Sequence, residues 1–436
     1  MSESETKKID AMVVGGGIAG LQSALDLADQ GHKVIVVEKD ASIGGRMIAL
    51  SKVFPTLDCA SCITTPKMSA AGRHPNITLM TTTEVLKVDP ASNGKPARVT
   101  LRRNPRYVDI DLCIGCSVCE LACPVEMPDV FELGLSVTKA IKVPFTNAIP
   151  PKAVLDSDWC TGCGACAMEC PTDAIDFSQK PVEEVWEAGT VVVASGFDMN
   201  SKTVKPQYNG DKSPNIIAPL ELERLLAPHG PYGRMLRPSD GKVPDNIAFV
   251  LCAGSRDKSI GVPYCSRVCC MYSVKQAMLL AGSVPMAEIT VYYMDIRAFG
   301  KGYEQFYQNA KAMGIYFNRG KVARVDPVEN DNLKLRVESF DDGEVRENEH
   351  DLVILAQGII PHGDMSGLGV DLEHDGFVSC PNPVAPTQTA SEGVFVAGCA
   401  AGPKDIVDSI VEAGAAASEA SRYLAETRGA AAKTAG

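Results

Sequence analysis

The sequence is poor in positive charge and has no long apolar run. Its 42 Lys and Arg against 54 Asp and Glu give a formal charge of −12. No basic cluster interrupts that excess, so a nucleic-acid partner is not expected, because phosphate binding needs a cationic surface that releases counterions. No stretch approaches the roughly 20 apolar residues of a membrane helix, and the polar start MSESETKKID has no apolar core that would read as a secretory signal. A cytoplasmic location follows as the expectation, with membrane contact only through a partner. Cysteine is the residue in excess: there are 16, most of them in groups, and in a reducing compartment grouped thiols point to metal or redox chemistry rather than disulfides. The 436 residues exceed one ordinary core and suggest about three structural units.

Residues 10–15, DAMVVG, read as a strand that runs into Gly15-Gly16-Gly17-Ile18-Ala19-Gly20 and then a helical pattern. Gly15 permits the turn, Gly17 lets backbone approach a pyrophosphate, and Gly20 lets the helix pack closely on the sheet. The free N–H groups and dipole of the helix start favour the anion. The next apolar strand, KVIVVEKD, ends at Glu38, whose carboxylate can accept both ribose hydroxyls and argues against a 2′-phosphate.

Cys113, Cys116, Cys119 and Cys123-Pro124 form C-x2-C-x2-C-x3-C-P, and Cys160, Cys163, Cys166 and Cys170-Pro171 repeat it without a change of spacing. Three thiolates so spaced wrap one [4Fe–4S] cubane, and the fourth, held before proline, reaches the other. The expected sets are Cys113, Cys116, Cys119 and Cys170 for one cluster and Cys160, Cys163, Cys166 and Cys123 for its twin. Zinc ribbons instead use C-x2-C pairs set far apart. The stretch 124–159 is long for a ferredoxin linker and predicts an added loop or strand pair.

A second nucleotide-type strand, NIAFVLCAGSRD (246–257), lacks the glycine triad that NAD(P)H would need. In its place stands C-x12-C-x3-C-C, formed by Cys252, Cys265, Cys269 and Cys270, which predicts a third [4Fe–4S] cluster. A redox-active thiol pair and partly structural cysteines are the competing readings. Cys59 and Cys62 form a further C-x2-C, open to three readings: a flavin-proximal redox pair, cluster ligands, or packing. Cys380 is read as structural, and Tyr303 and Phe306 as packing residues.

Ile43-Gly44-Gly45-Arg46, TVVVASGFD (190–198) and GVFVAGCAAGPKD (393–405) resemble the motifs of two-dinucleotide-binding-domain, thioredoxin-reductase-like flavoproteins and favour FAD over NAD. The resemblance implies an α/β fold with an inserted α+β two-cluster ferredoxin domain. It also implies cofactor contacts from Gly15, Gly17, Gly20, Glu38, Lys39, Gly45, Arg46, Val85, Ser195, Gly196, Gly398 and Cys399. Cys399 stands where that superfamily usually carries an Asp for the ribityl chain. The expected units are FAD-binding segments at 8–105, 181–200 and 351–425, the ferredoxin at 106–180, and a degenerate NAD(P)H-like domain at 201–350.

The strings LDCASCITTPKM (57–68), YCSRVCCMYSVKQA (264–277), RAFGKGYEQFY (297–307) and AGCAAGPKDI (397–406), in this order, closely resemble the family of heterodisulfide reductase A subunits (HdrA). That family includes the corresponding component of the quinone-interacting membrane-bound oxidoreductase (QmoA) and HdrA-like components of benzoyl-CoA reductase complexes. The chain resembles a short form, without the added N-terminal cluster domain and C-terminal ferredoxin domain of long versions. The resemblance implies an electron-transfer subunit with FAD and iron–sulfur clusters, either relaying or bifurcating and confurcating electrons. Its implied partners are other redox subunits, in some complexes a membrane-bound quinone-reactive one, or a second copy of the chain. The alternative is a free-standing flavin disulfide reductase that uses Cys59 and Cys62 with ferredoxin as donor.

Overall fold

The computed structural model describes residues 7–92 and 94–434, so most of the polar N-terminal segment lies outside the described residues. Two seven-stranded sheets form the host. In the first, Ile77–Met80, Val34–Val37, Lys7–Val14 and Val182–Val193 lie side by side in parallel. Val34–Val37 and the apolar ends of Lys7–Val14 and Val182–Val193 are buried on both faces, as central parallel strands are, whereas Ile77–Met80 at the edge is partly exposed.

One face of this sheet is covered by the helices Ile18–Asp29 and Ile406–Thr434, which meet through small side chains, Ala24, Ala413, Ala416 and Ala417. The strand Val182–Val193 is shared between two partnerships. Its second half pairs in parallel with Val394–Val396, while its first half pairs antiparallel with Ala97–Arg103, so that Val182 faces Arg103.

The second sheet runs Ile216–Ile217, Leu352–Leu355, Asn246–Val250, Glu288–Tyr293 and Tyr316–Pro327 in parallel, then Leu333–Ser339 and Val345–His350 antiparallel. The helices Pro219–Leu226, Cys269–Ser283 and Tyr303–Ala312 pack on it in one core. Tyr303 and Phe306 are buried there, as expected of packing residues. The two sheets are joined by a pair of short antiparallel strands, Phe197–Met199 and Ile359–Pro361.

The cysteine-rich segment is inserted between Arg103 and Val182. Its two short helices, Val118–Ala122 and Ala165–Met168, pack together around a small core that includes Cys113, Cys119 and Cys166. The long stretch between the motifs forms the hairpin Glu126–Pro128 with Val137–Lys139 and the pair Ile141–Lys142 with Val154–Leu155. It also anchors the insert. Phe131 and Phe145 stack at 4.8 Å and pack with Ile149 on Leu21, Ile43 and Met68 of the host. Buried Arg106 donates to the carbonyls of Ala153, Lys152 and Ala41. Glu132 pairs with Arg224 in a bidentate contact of 2.8 and 2.9 Å.

Candidate functional site: a flavin cradle and three groups of thiols

The first strand ends at Val14, and Gly15 turns the chain at φ +108°. A Cβ on Gly15 would lie 2.3 Å from the Ala194 carbonyl oxygen, so the turn and the segment before Ser195 and Gly196 touch through bare backbone. Gly20 packs on the Gly15 carbonyl with no room for a side chain. Gly45, at φ +55°, faces Gly17 so closely that its Cβ would stand 2.8 Å from the Gly17 Cα. The helix that starts at Ile18 has no side-chain cap and no acidic residue in its first turn. These glycines leave a channel of backbone in front of free N–H groups, which fits a pyrophosphate.

Glu38, 7% exposed, accepts from the Gly16 N–H at 2.7 Å and the Asp40 N–H at 2.9 Å. One oxygen takes each bond, so further lone pairs remain for hydroxyl donors. Burial pushes its carboxyl up to about 6. Val85 lies in the strand Thr83–Asp89 at a break in its pairing with Ala97–Arg103. Lys39 meets the His362 ring at 2.9 Å, and Arg46 gives its guanidinium to Phe197 O and Asp198, so both reach the joining strands. Gly398, at φ +67°, abuts Ala19 of the dinucleotide helix. Cys399 is buried and donates to Lys404 O at 3.3 Å.

In the insert, Cys113, Cys116, Cys119 and Cys170 all line one cavity. Cys119 feels Cys113 and Cys116 and, across the insert, Cys166; Cys166 in turn feels Cys160 and Cys123. One predicted set thus shares a cavity, and of the other set Cys160, Cys166 and Cys123 lie within electrostatic reach of one another. Among the described residues, no three His, Cys, Asp or Glu side chains are arranged to hold a single ion.

The third group also converges. Cys252 follows the strand Asn246–Val250 at φ +56°, and Cys269 and Cys270 open the helix Cys269–Ser283. Both helical thiols feel Cys252 and Cys265, and burial pushes Cys270 up to about 12 and Cys269 higher still. The adjacent pair has divergent neighbours, since the Cys269 thiol meets Gln357 O and the Cys270 thiol Asp295 O. The group sits at the carboxyl ends of the parallel strands, where open α/β sheets place ligands. It also lies beside the C-terminal flavin motif, for Arg267, between Cys265 and Cys269, donates to Pro403 O at 3.5 Å and pairs with Asp408 just beyond the motif at 3.2 Å. All 16 cysteines are free thiols, Cys380 half-buried among them.

Cys59 caps the helix Ala60–Arg73, its sulfur accepting the Cys62 N–H at 3.4 Å. The exposed Cys62 side chain beside it, with the Ser61 hydroxyl at 3.2 Å, holds Cys59 below the ordinary thiol range. Ala60 and Ile63 pack with Ile18 and Ile406, the first residues of the two helices that frame the glycine channel. One buried pair escaped sequence reading: Lys275 and Glu223 hydrogen-bond to each other, Glu223 accepts from Ser51, and Lys275 donates to Lys52 O. The only signal was a lysine inside the string YSVKQA.

Two nucleotide-type sheets, one faced by a glycine channel and one by thiols, with a doubled cysteine module between, define a two-dinucleotide-binding-domain flavoprotein with an inserted ferredoxin. Residues 10–52 match the family model for FAD dependent oxidoreductases, and residues 106–129 and 153–176 match that for the 4Fe-4S binding domain. FAD and two [4Fe–4S] clusters are thereby supported. Among solved structures the fold matches thioredoxin reductase of Lactococcus lactis, with TM-score 0.55 and 11% identity over 96% of this chain and 99% of that one. The T. acidophilum enzyme matches with TM-score 0.53 and 15% identity over the same shares.

Curated relatives are much closer in sequence. The A component of the H(2):CoB-CoM heterodisulfide,ferredoxin reductase of Methanothermobacter marburgensis is 46% identical over 94% of this chain and 63% of its own length. Its counterpart in the H(2)/formate:CoB-CoM heterodisulfide,ferredoxin reductase of Methanococcus maripaludis is 49% identical over 93% and 63%. A ferredoxin/F(420)H(2)-dependent form from Methanosarcina acetivorans is 41% identical over 95% and 53%. The chain is thus similar over nearly its whole length to the A components of heterodisulfide reductases, and it spans less than two thirds of the length of these relatives.

Proposed function

We propose that the chain is an electron-transfer subunit of a heterodisulfide-reductase-like assembly, exchanging electrons among FAD, [4Fe–4S] clusters and partner redox subunits. FAD, when bound, supplies the exchange between two-electron and one-electron chemistry. The chain's own residues divide the remaining work. Glu38 accepts the ribose hydroxyls, the first turn after Gly17 takes the phosphates, and the insert holds two clusters through the crossed sets Cys113, Cys116, Cys119, Cys170 and Cys160, Cys163, Cys166, Cys123.

The observation that carries the proposal is the third thiol group. Cys252, Cys265, Cys269 and Cys270 occupy the ligand end of the second sheet, replace the glycine turn of a nicotinamide site and lie beside the flavin motif through Arg267. These four thiols would hold a third [4Fe–4S] cluster, which would supply one-electron chemistry between the flavin unit and a partner. Buried thiols must lose their protons to bind iron, so the cluster's positive iron offsets the cost of charging them. The partners are redox subunits such as those implied by the relatives' names. A finer form, in which an electron pair is split between a disulfide-reducing and a ferredoxin-reducing branch, draws support from the same names.

Cys265→Ser tests the assignment without removing a core residue. The anoxically purified protein should carry about twelve iron and the variant about eight, because one cubane is lost while FAD and the ferredoxin EPR signals stay. Full iron content in Cys265→Ser would remove the third cluster from the proposal.

A further inference from the structure

We propose that Cys59 and Cys62 form a dithiol–disulfide couple that exchanges with low-molecular-weight disulfides, Cys59 attacking and Cys62 resolving. This site stands apart from the electron-transfer reading and does not depend on it. Three observations carry it. The two residues are joined across one turn, with the Cys62 N–H donating to the Cys59 sulfur at 3.4 Å. Cys59 is fixed in position, since it bridges antiparallel to Lys52 and the Ala60 N–H binds Ser51 O. Cys62 is exposed, and Cys59 is half-exposed at the start of a 14-residue helix, so a small disulfide reaches both.

The chemistry follows from the difference between the two sulfurs. Cys59 is the better thiolate, because its charge takes hydrogen bonds from the Cys62 N–H at the helix start and from the Ser61 hydroxyl at 3.2 Å. The Cys59 thiolate attacks one sulfur of a disulfide RS–SR. An S–S bond forms between Cys59 and that sulfur, the original S–S bond breaks, and RS⁻ leaves. Cys62 then loses its proton and attacks the Cys59 sulfur, forming the Cys59–Cys62 disulfide and releasing the second RS⁻. The two thiolates released take up the protons that Cys59 and Cys62 gave up. In sum, dithiol plus RSSR gives protein disulfide plus two RSH, so two electrons pass to the substrate and nothing else is consumed.

Oxidised glutathione serves as probe, with the full-length, cluster-loaded protein held anoxic. After quenching and alkylation, the peptide carrying both residues should appear with a disulfide in place of two alkylated thiols. Cys62→Ser, a change at an exposed position, should halt the reaction at a glutathione adduct on Cys59. Cys59→Ser should give neither product at a comparable rate. Fully alkylated thiols at Cys59 and Cys62 throughout an oxidising glutathione series would overturn the proposal. So would the absence of any adduct in Cys62→Ser, or a loss of about four iron in either variant, which would make the pair cluster ligands. Iron and flavin content, read on the same samples, report separately on the electron-transfer assignment.

Discussion

Glu38 shows how one buried side chain can serve the fold and a ligand at once. Its carboxylate ties the turn at Gly16 to the end of the second strand, yet burial raises it from an ordinary 4.5 to about 6. Between those values the folded chain holds a proton that the unfolded chain releases. Folding stability therefore falls by about 2 kcal/mol as pH rises across this window. FAD retention should move the other way, since only the charged carboxylate offers full acceptor capacity to the ribose. Flavin in the filtrate should increase as the pH drops through about 6. Glu38→Gln should weaken retention about tenfold at pH 7 and abolish the pH dependence. An unchanged acid limb in Glu38→Gln would assign the titration to another group. Glu38, the glycines and the ferredoxin cysteines were legible in sequence because local spacing sets their geometry. Lys275 and Glu223 were not, because their contact spans 52 residues and the sequence does not display burial.

Among the elements, the stretch between the two cysteine motifs does more than link them. It brings Glu132 onto Arg224 of the helix Pro219–Leu226, with that guanidinium also over the Phe131 ring at 4.6 Å. Glu132→Ala would leave a buried cation without its partner, at a cost of about 3–5 kcal/mol. Amide exchange in residues 126–139 should speed up, while the first sheet keeps its protection. Equal protection in variant and parent would show that the aromatic contacts hold the insert alone. An added strand pair was foreseeable from length, but its docking was not. The strand Val182–Val193 was also only half legible: the apolar run marks its doubly buried end, whereas VEEVWE belongs to an antiparallel pair with mixed exposure and carries no such run.

At the scale of the molecule, the parallel strand Asn246–Val250 of the second sheet runs into Cys252 rather than into a glycine triad. NADH and NADPH should therefore leave the flavin of the anoxic protein oxidised, as followed by its visible absorbance. Rapid bleaching by either would restore an ordinary reductase. The arrangement of the units has a historical reading as well. Arg103 and Val182 face each other as cross-strand neighbours, so the host leaves its sheet and re-enters it at one place. Such a site is an ordinary hairpin whose turn has been opened, and the ferredoxin occupies it as a parenthesis occupies a sentence. A flavoprotein ancestor could gain its wiring in one recombination event, with every strand of the parent sheet left in its original order.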